Sequence, residues 1–132
     1  MISVTGASDR FNLSVVGADF INDCCFGEDF SSWLVKALRA TGVEADVICM
    51  EDFGWANYAV WHGVRYLVSV AGSPDKPGNP ANHGEWHVML ERQRTLIQTL
   101  LGKGKITLDD PLVGIVHRIL HEGGFTAVRI EP

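Results

Sequence analysis

The run FGEDFSSWLVKALRATG, Phe26 to Gly42, decides the fold. Phe30, Trp33, Leu34, Ala37 and Leu38 recur at i, i+3, i+4, i+7 and i+8, the apolar stripe of an amphipathic helix that lies on a flat surface. Glu28 and Asp29 stand in the first turn, where the helix dipole favours negative charge. Lys36 and Arg39 lie toward the end that favours positive charge, and Gly42 supplies a left-handed stop. The spacing predicts a helix over Glu28 to about Ala40.

The flanking sequence supplies the flat surface. After Gly42, VEADVICMED alternates Val43, Ala45, Val47 and Cys49 with Glu44, Asp46 and Ile48 and reads as a strand. WANYAVWHGVRYLVSVAG then places two β-rich arms around His62-Gly63, a two-residue hairpin turn. That turn sets the register. Trp61 faces Val64, Ala59 faces Tyr66, Asn57 faces Val68 and Trp55 faces Val70, all on the side that meets the helices. Tyr58, Val60, Arg65, Leu67 and Ser69 take the other, half-exposed side. Ser73 to Gly84 holds three prolines and two glycines and reads as a long loop. Glu85 to Glu91 is a further strand, with Trp86, Val88 and Leu90 on one side.

Arg94 to Leu101 reads as a short helix carrying Leu96, Ile97, Leu100 and Leu101, stopped by Gly102. Asp109-Asp110-Pro111 is a strong start signal, an Asp cap followed by proline at the first helical position. The helix it opens buries Leu112, Val116, Ile119 and Leu120 and ends at Gly123-Gly124, and Phe125 to Glu131 closes the chain as a strand. At the other terminus, residues 1–11 read as a loosely held start and Asn12 to Phe20 as strand-like, with Gly17 marking a bulge. The expected class is α+β: a mostly antiparallel sheet of about five to six strands with two to three helices packed on one face. Residues 1–132 should form a single domain, since a chain of 132 residues buries one sizeable core.

Eleven Lys and Arg against sixteen Asp and Glu leave a net charge of -5. Such a balance argues against nucleic acid, whose sequence-independent affinity comes from Lys and Arg on phosphates, and favours a basic protein partner. No apolar run approaches the roughly eighteen residues of a membrane span, and Met1 to Arg10 has no signal-peptide pattern. The expectation is a cytoplasmic protein with no membrane partner. Three cysteines, two of them adjacent at Cys24 and Cys25, suit a reducing compartment. Nothing in the pattern calls for a cofactor.

Four sets of residues bear on chemistry. His83, Glu85 and His87 at i, i+2 and i+4 would project from one side of a strand, and imidazole with carboxylate suits zinc. The bland alternative is an exposed polar face. His117 and His121 are a helical i, i+4 pair, but Arg118 stands where the zincin motif has Glu, so a solvated face is the better reading. Cys24 and Cys25 precede a helix N-terminus, which lowers a thiol pKa; with Cys49 they are the candidate nucleophiles, each needing a base such as His62 or His87. Asp19, Asp23, Glu28 and Asp29 surround the mouth of the first helix, while Glu51 and Asp52 end a strand beside Phe53 and Trp55. If these ends converge they form an acidic rim around an aromatic anchor, a grip for a basic partner.

The Phe26–Gly42 run, the EDFGW of Glu51 to Trp55, the WxVxLE strand from Trp86 and the closing helix-strand unit together resemble a group of small uncharacterised bacterial proteins, over most of the chain from Phe26 onward. Those motifs are structural and carry over no catalytic residue. In size, acidity and α+β composition the chain also resembles immunity proteins, which neutralise bacterial toxins by binding them. The expected function is therefore non-catalytic protein binding through Asp19, Asp23, Glu28, Asp29, Glu51, Asp52 and Trp55. The alternatives are a small metal- or cysteine-dependent enzyme, and a homodimer joined through an open sheet face or edge.

Overall fold

The computed structural model describes residues 1–76 and 82–132. Its elements run β1 (Ile2–Ser8), α1 (Glu28–Ala40), β2 (Glu44–Glu51), β3 (Gly54–Trp61), β4 (Val64–Pro74), β5 (Gly84–Arg92), α2 (Leu96–Leu100), α3 (Pro111–Glu122) and β6 (Thr126–Glu131). The strands form one sheet in the order β2-β3-β4-β5-β1-β6, every neighbouring pair antiparallel. The protein is thus α+β with an antiparallel sheet.

The β3–β4 hairpin has the register that His62-Gly63 implies, with Trp61 opposite Val64, Ala59 opposite Tyr66, Asn57 opposite Val68 and Trp55 opposite Val70. His62 and Gly63 have φ of 49° and 76°, the positive pair that a type I′ turn requires to match the strand twist. Asn57 is polar on the core face because α1 meets it there. Its Nδ2 donates to Ser31 Oγ at 3.0 Å and to Val68 O at 3.2 Å, which ties helix to sheet. The β2–β3 turn depends on Gly54, whose φ is 155° and whose added Cβ would lie 2.2 Å from Val70 O. Gly54→Ala should therefore cost about 1–3 kcal/mol in urea denaturation, since strained φ and a backbone clash combine.

Helices α1 and α3 cover one face: α1 lies over β2 and β3, α3 over β1 and β6, and the two touch. Phe30, Leu34 and Leu38 of α1 and Leu112, Val116 and Leu120 of α3 are buried against Val4, Val68, Val70, Trp86, Val88 and Leu90 of the sheet. Asp110 caps α3 by accepting from Leu112 N at 2.9 Å, with Pro111 at the first helical position. Helix α2 has no buried residue and joins neither layer; the helices packed on one face are α1 and α3, within the two to three expected.

Three readings of the sequence need correction. Residues 1–11 are not a loose start: β1 pairs along its whole length with β5, from Ile2 opposite Leu90 to Ser8 opposite Gly84, and also with β6. Asn12 to Phe20 is no strand. Asn12 Oδ1 accepts from Ser14 N and Val15 N at 3.2 and 3.0 Å, which closes a turn, buries Leu13 and leaves Val15 and Val16 exposed. The long loop is shorter than Ser73 to Gly84, because β4 runs through Pro74 and β5 begins at Gly84; residues 77–81 of that loop lie outside the described residues.

Candidate protein-binding surface

Helix α1 begins, and the β2–β3 turn closes, at the same end of the sheet. The segment between β1 and α1 is bound to that turn through its carbonyl groups. Asn22 Nδ2 donates to Asp52 O at 2.7 Å, the Cys24 thiol to the same oxygen at 3.2 Å, and the Cys25 thiol to Glu51 O at 3.2 Å. Each bond places one acidic stretch against the other. Asp23, between Asn22 and Cys24, therefore stands beside Asp52, and Glu28 opens α1 three residues after Cys25. The carbonyl oxygens of Glu51 and Asp52 are taken by neutral donors, the Asn22 amide and two thiols, and the carboxylates of Asp23, Glu28 and Asp52 stand at the surface.

The members of the predicted rim are not equivalent. Asp23, Glu28 and Asp52 are exposed and Glu51 is half-buried. Asp29 is exposed too, but its Oδ2 accepts from Asn12 N at 2.8 Å and its Oδ1 from Phe30 N at 2.8 Å, so it holds the segment after β1 in place. Asp19 sits on a separate turn closed by Phe20 N to Gly17 O at 3.1 Å. Trp55 is half-buried, and its indole N–H donates to Cys25 O at 3.2 Å; its ring serves the junction more than the outer surface. Ile21 and Phe53, 64% and 37% exposed, are the apolar side chains that the rim presents to solvent. Sequence reasoning overlooked Ile21, which follows Phe20 just before the polar Asn22-Asp23 and has no periodic signal. A cleft of about 380 Å³ lined by Asn12, Phe20, Cys25, Gly27, Glu28 and Asp29 opens beside them.

The metal and thiol alternatives meet different surroundings. Glu85 and His87 lie on one side of β5, His83 stands just before the strand, and His83 and Glu85 each have a partner outside the set. His83 Nδ1 pairs with Asp75, and Glu85 is held by Arg129 at 2.9 Å as well as by His87 Nε2 at 3.3 Å. A guanidinium on Glu85 opposes a cation in that place. Among the described residues no group of three His, Cys, Asp or Glu is arranged to hold a metal ion. Cys24 is exposed and Cys25 buried, and their sulfur atoms face Asn22 and the carbonyls of Glu51 and Asp52 with no imidazole among their hydrogen-bond partners. The Cys49 thiol is pushed up in pKa by desolvation and then by the hydrogen bond and charge of Glu51, which opposes thiolate formation.

The second face of the sheet has no helix over it among the described residues, and it displays Ile48, Tyr58, Leu67 and Met89 around Arg65, which lies 4.4 Å over the Tyr58 ring. The sheet's edges are blunted. On β2, Glu44 and Asp46 are exposed and the register shifts between Val47 and Cys49; on β6, Arg129 and Glu131 are charged, and its pairing with β1 shifts between Thr5 and Ala7. Charges and bulges of this kind oppose edge-to-edge pairing. Among the described residues no helix is long and apolar enough to cross a membrane. Comparison with protein-family models, with curated proteins and with solved structures returned no match.

Proposed function

We propose that the protein is a non-catalytic binding domain that captures a basic protein partner on the rim formed by Asp23, Glu28, Glu51 and Asp52, with Ile21 and Phe53 as its apolar contacts. The observation that supports this reading is the pair of bonds from Asn22 and Cys25 to the carbonyls of Asp52 and Glu51, at 2.7 and 3.2 Å. They fix two acidic segments, distant in sequence, into one negative surface with exposed apolar centres. Such a surface steers a cationic partner and discriminates against acidic ones. Neutralisation of a basic toxin, as immunity proteins perform it, is one task that suits it.

Glu51→Lys combined with Asp52→Lys tests the reading. Neither side chain is in the core, so the melting temperature should stay within a few degrees of the parent. Partner capture from cytosol of the source organism should fall at least tenfold, and capture by the parent should weaken as salt rises. Undiminished capture by the double variant would remove the rim from consideration. A second reading, association of two copies through the open sheet face, is favoured by Ile48 and Leu67, 51% and 45% exposed. Light scattering that showed a dimer dispersed by Leu67→Asp, with the rim variant still dimeric, would support it.

A further inference from the structure

Helix α2 is built without the core. Thr95 Oγ1 accepts from Gln98 N at 3.1 Å and Gln98 Oε1 accepts from Thr95 N at 2.9 Å, a capping box closed on itself. Lys103 N donates to Gln98 O at 2.8 Å and Arg94 Nη1 to Lys103 O at 3.3 Å, while buried Ile106 returns the chain to the body. Upon this local frame Leu96, Ile97, Leu100 and Leu101 are 76%, 70%, 77% and 62% exposed. Their spacing of i, i+1, i+4 and i+5 puts them on one side of the turn. Side chains this large, grouped and unused by the fold mark an interaction surface.

The charge around them is positive. Arg65, Arg92 and Arg94 line the cleft between α2 and the β3–β4 turn, and exposed Lys103 and Lys105 follow directly after Leu101. Of the nearby carboxylates, Glu91 faces the N-terminal amine at 3.6 Å and Asp110 is buried beneath Tyr66; Asp109 is exposed. This end lies opposite the acidic rim, since Arg92 pairs with Tyr66 at the start of β4 while Gly54 and Glu51 pair at the other end of the sheet.

We infer that α2 docks the protein on an anionic lipid bilayer, with Leu96, Ile97, Leu100 and Leu101 entering the acyl boundary and Arg94, Lys103 and Lys105 at the level of the headgroups. A protein acceptor would need an apolar groove matched to these four exposed side chains, whereas a bilayer yields to any shape. A symmetric pair of copies joined at α2 would bring like cations together. Head-to-tail stacking would press the leucines onto a cleft in which Asn12, Glu28 and Asp29 share the lining with Phe20 and Cys25, so part of the apolar surface would meet charge. The molecule's charge asymmetry also turns its basic end toward such a membrane and its acidic end away. Surface docking of this kind requires no spanning segment, so the missing apolar run does not oppose it. The inference does not depend on the acidic rim having a partner.

Sedimentation with vesicles of phosphatidylcholine containing a third phosphatidylglycerol tests it, beside vesicles of phosphatidylcholine alone. The parent should bind the anionic vesicles and be released by salt. Ile97→Asp with Leu100→Asp should lower the bound fraction at least tenfold with an unchanged melting temperature, because neither side chain is buried. Lys103→Glu with Lys105→Glu should weaken binding by roughly fivefold or more for each charge, and the Glu51→Lys, Asp52→Lys variant should bind as the parent does. Failure of the parent to sediment with anionic vesicles would overturn the inference. So would equal binding to both vesicle types, or self-association in light scattering that Leu100→Asp abolishes in place of vesicle binding.

Discussion

Trp86→Ala should lower stability by about 3–5 kcal/mol, read as a fall in the guanidinium midpoint at constant slope by circular dichroism. Trp86 is fully buried on β5 and stacks on Phe30 of α1, with centroids 4.6 Å apart and planes inclined by 7°; Phe11 meets it edge-on at 6.0 Å. Its cross-strand neighbours are both glycines, Gly6 on β1 and Gly72 on β4. A Cβ at Gly72 would come within 2.8 Å of the indole, so the ring occupies the space where a neighbouring side chain would be. With glycine on either side, no cross-strand side chain is available to relax into the void that alanine leaves, and most of the cavity cost remains. Trp86→Phe should behave differently. The buried indole N–H has no hydrogen-bond partner among the described residues, so losing it offsets part of the lost contact and the net cost should be about 1 kcal/mol. A loss under 1 kcal/mol for alanine would show that the layer between α1 and the sheet is more deformable than this stack implies.

The same ring explains what could be read from the sequence and what could not. The β3–β4 hairpin was legible because its arms alternate and His62-Gly63 suits a turn with both φ positive. The α3 start was legible because Asp110-Pro111 is a local signal, complete within three residues. Strand β1 was hidden. Its Gly6 exists to admit Phe125 and Val128, whose carbons lie 3.2 and 3.3 Å from where a Cβ would stand, and the alternation of Ile2, Ser3, Val4 and Thr5 stops there, too short to stand out. Val15 and Val16 misled in the opposite sense, since β-branched residues suggest a strand until the Asn12 side chain takes the amides that a ladder would use. The α2 leucines were legible as a helix but not as exposed, because spacing reports which residues share a side and not whether anything covers it. The acidic residues could be chosen one by one. Their convergence rests on Asn22 and two thiols reaching backbone carbonyls some thirty residues away, and residue type encodes nothing of that contact.

Asp110→Ala should cost about 2–4 kcal/mol, the sum of a lost helix cap and an unpaired buried hydroxyl. Asp110 Oδ1 accepts from Leu112 N at 2.9 Å and from Tyr66 Oη at 2.9 Å, so one carboxylate starts α3 and fastens it to β4. Tyr66→Phe keeps the cap and loses only the second bond, so it should cost about 1 kcal/mol. The double variant should cost less than the two single changes added together, because each single change already breaks the shared bond. This pair also sets an alkaline limit. Burial, then the hydrogen bond and charge of Asp110, push the Tyr66 phenol up to about 12, with Arg92 acting against them. The unfolded phenol ionises near 10, so above that pH the unfolded state has lost a proton that the folded state retains. Stability is therefore fully present below about pH 10 and falls as pH rises toward 12. Urea midpoints taken across that range should decline in the parent and decline less in Tyr66→Phe, which has no proton to lose at this position. A decline equally steep in both would assign the alkaline loss to other groups and leave the Tyr66–Asp110 bond as a mechanical tie alone.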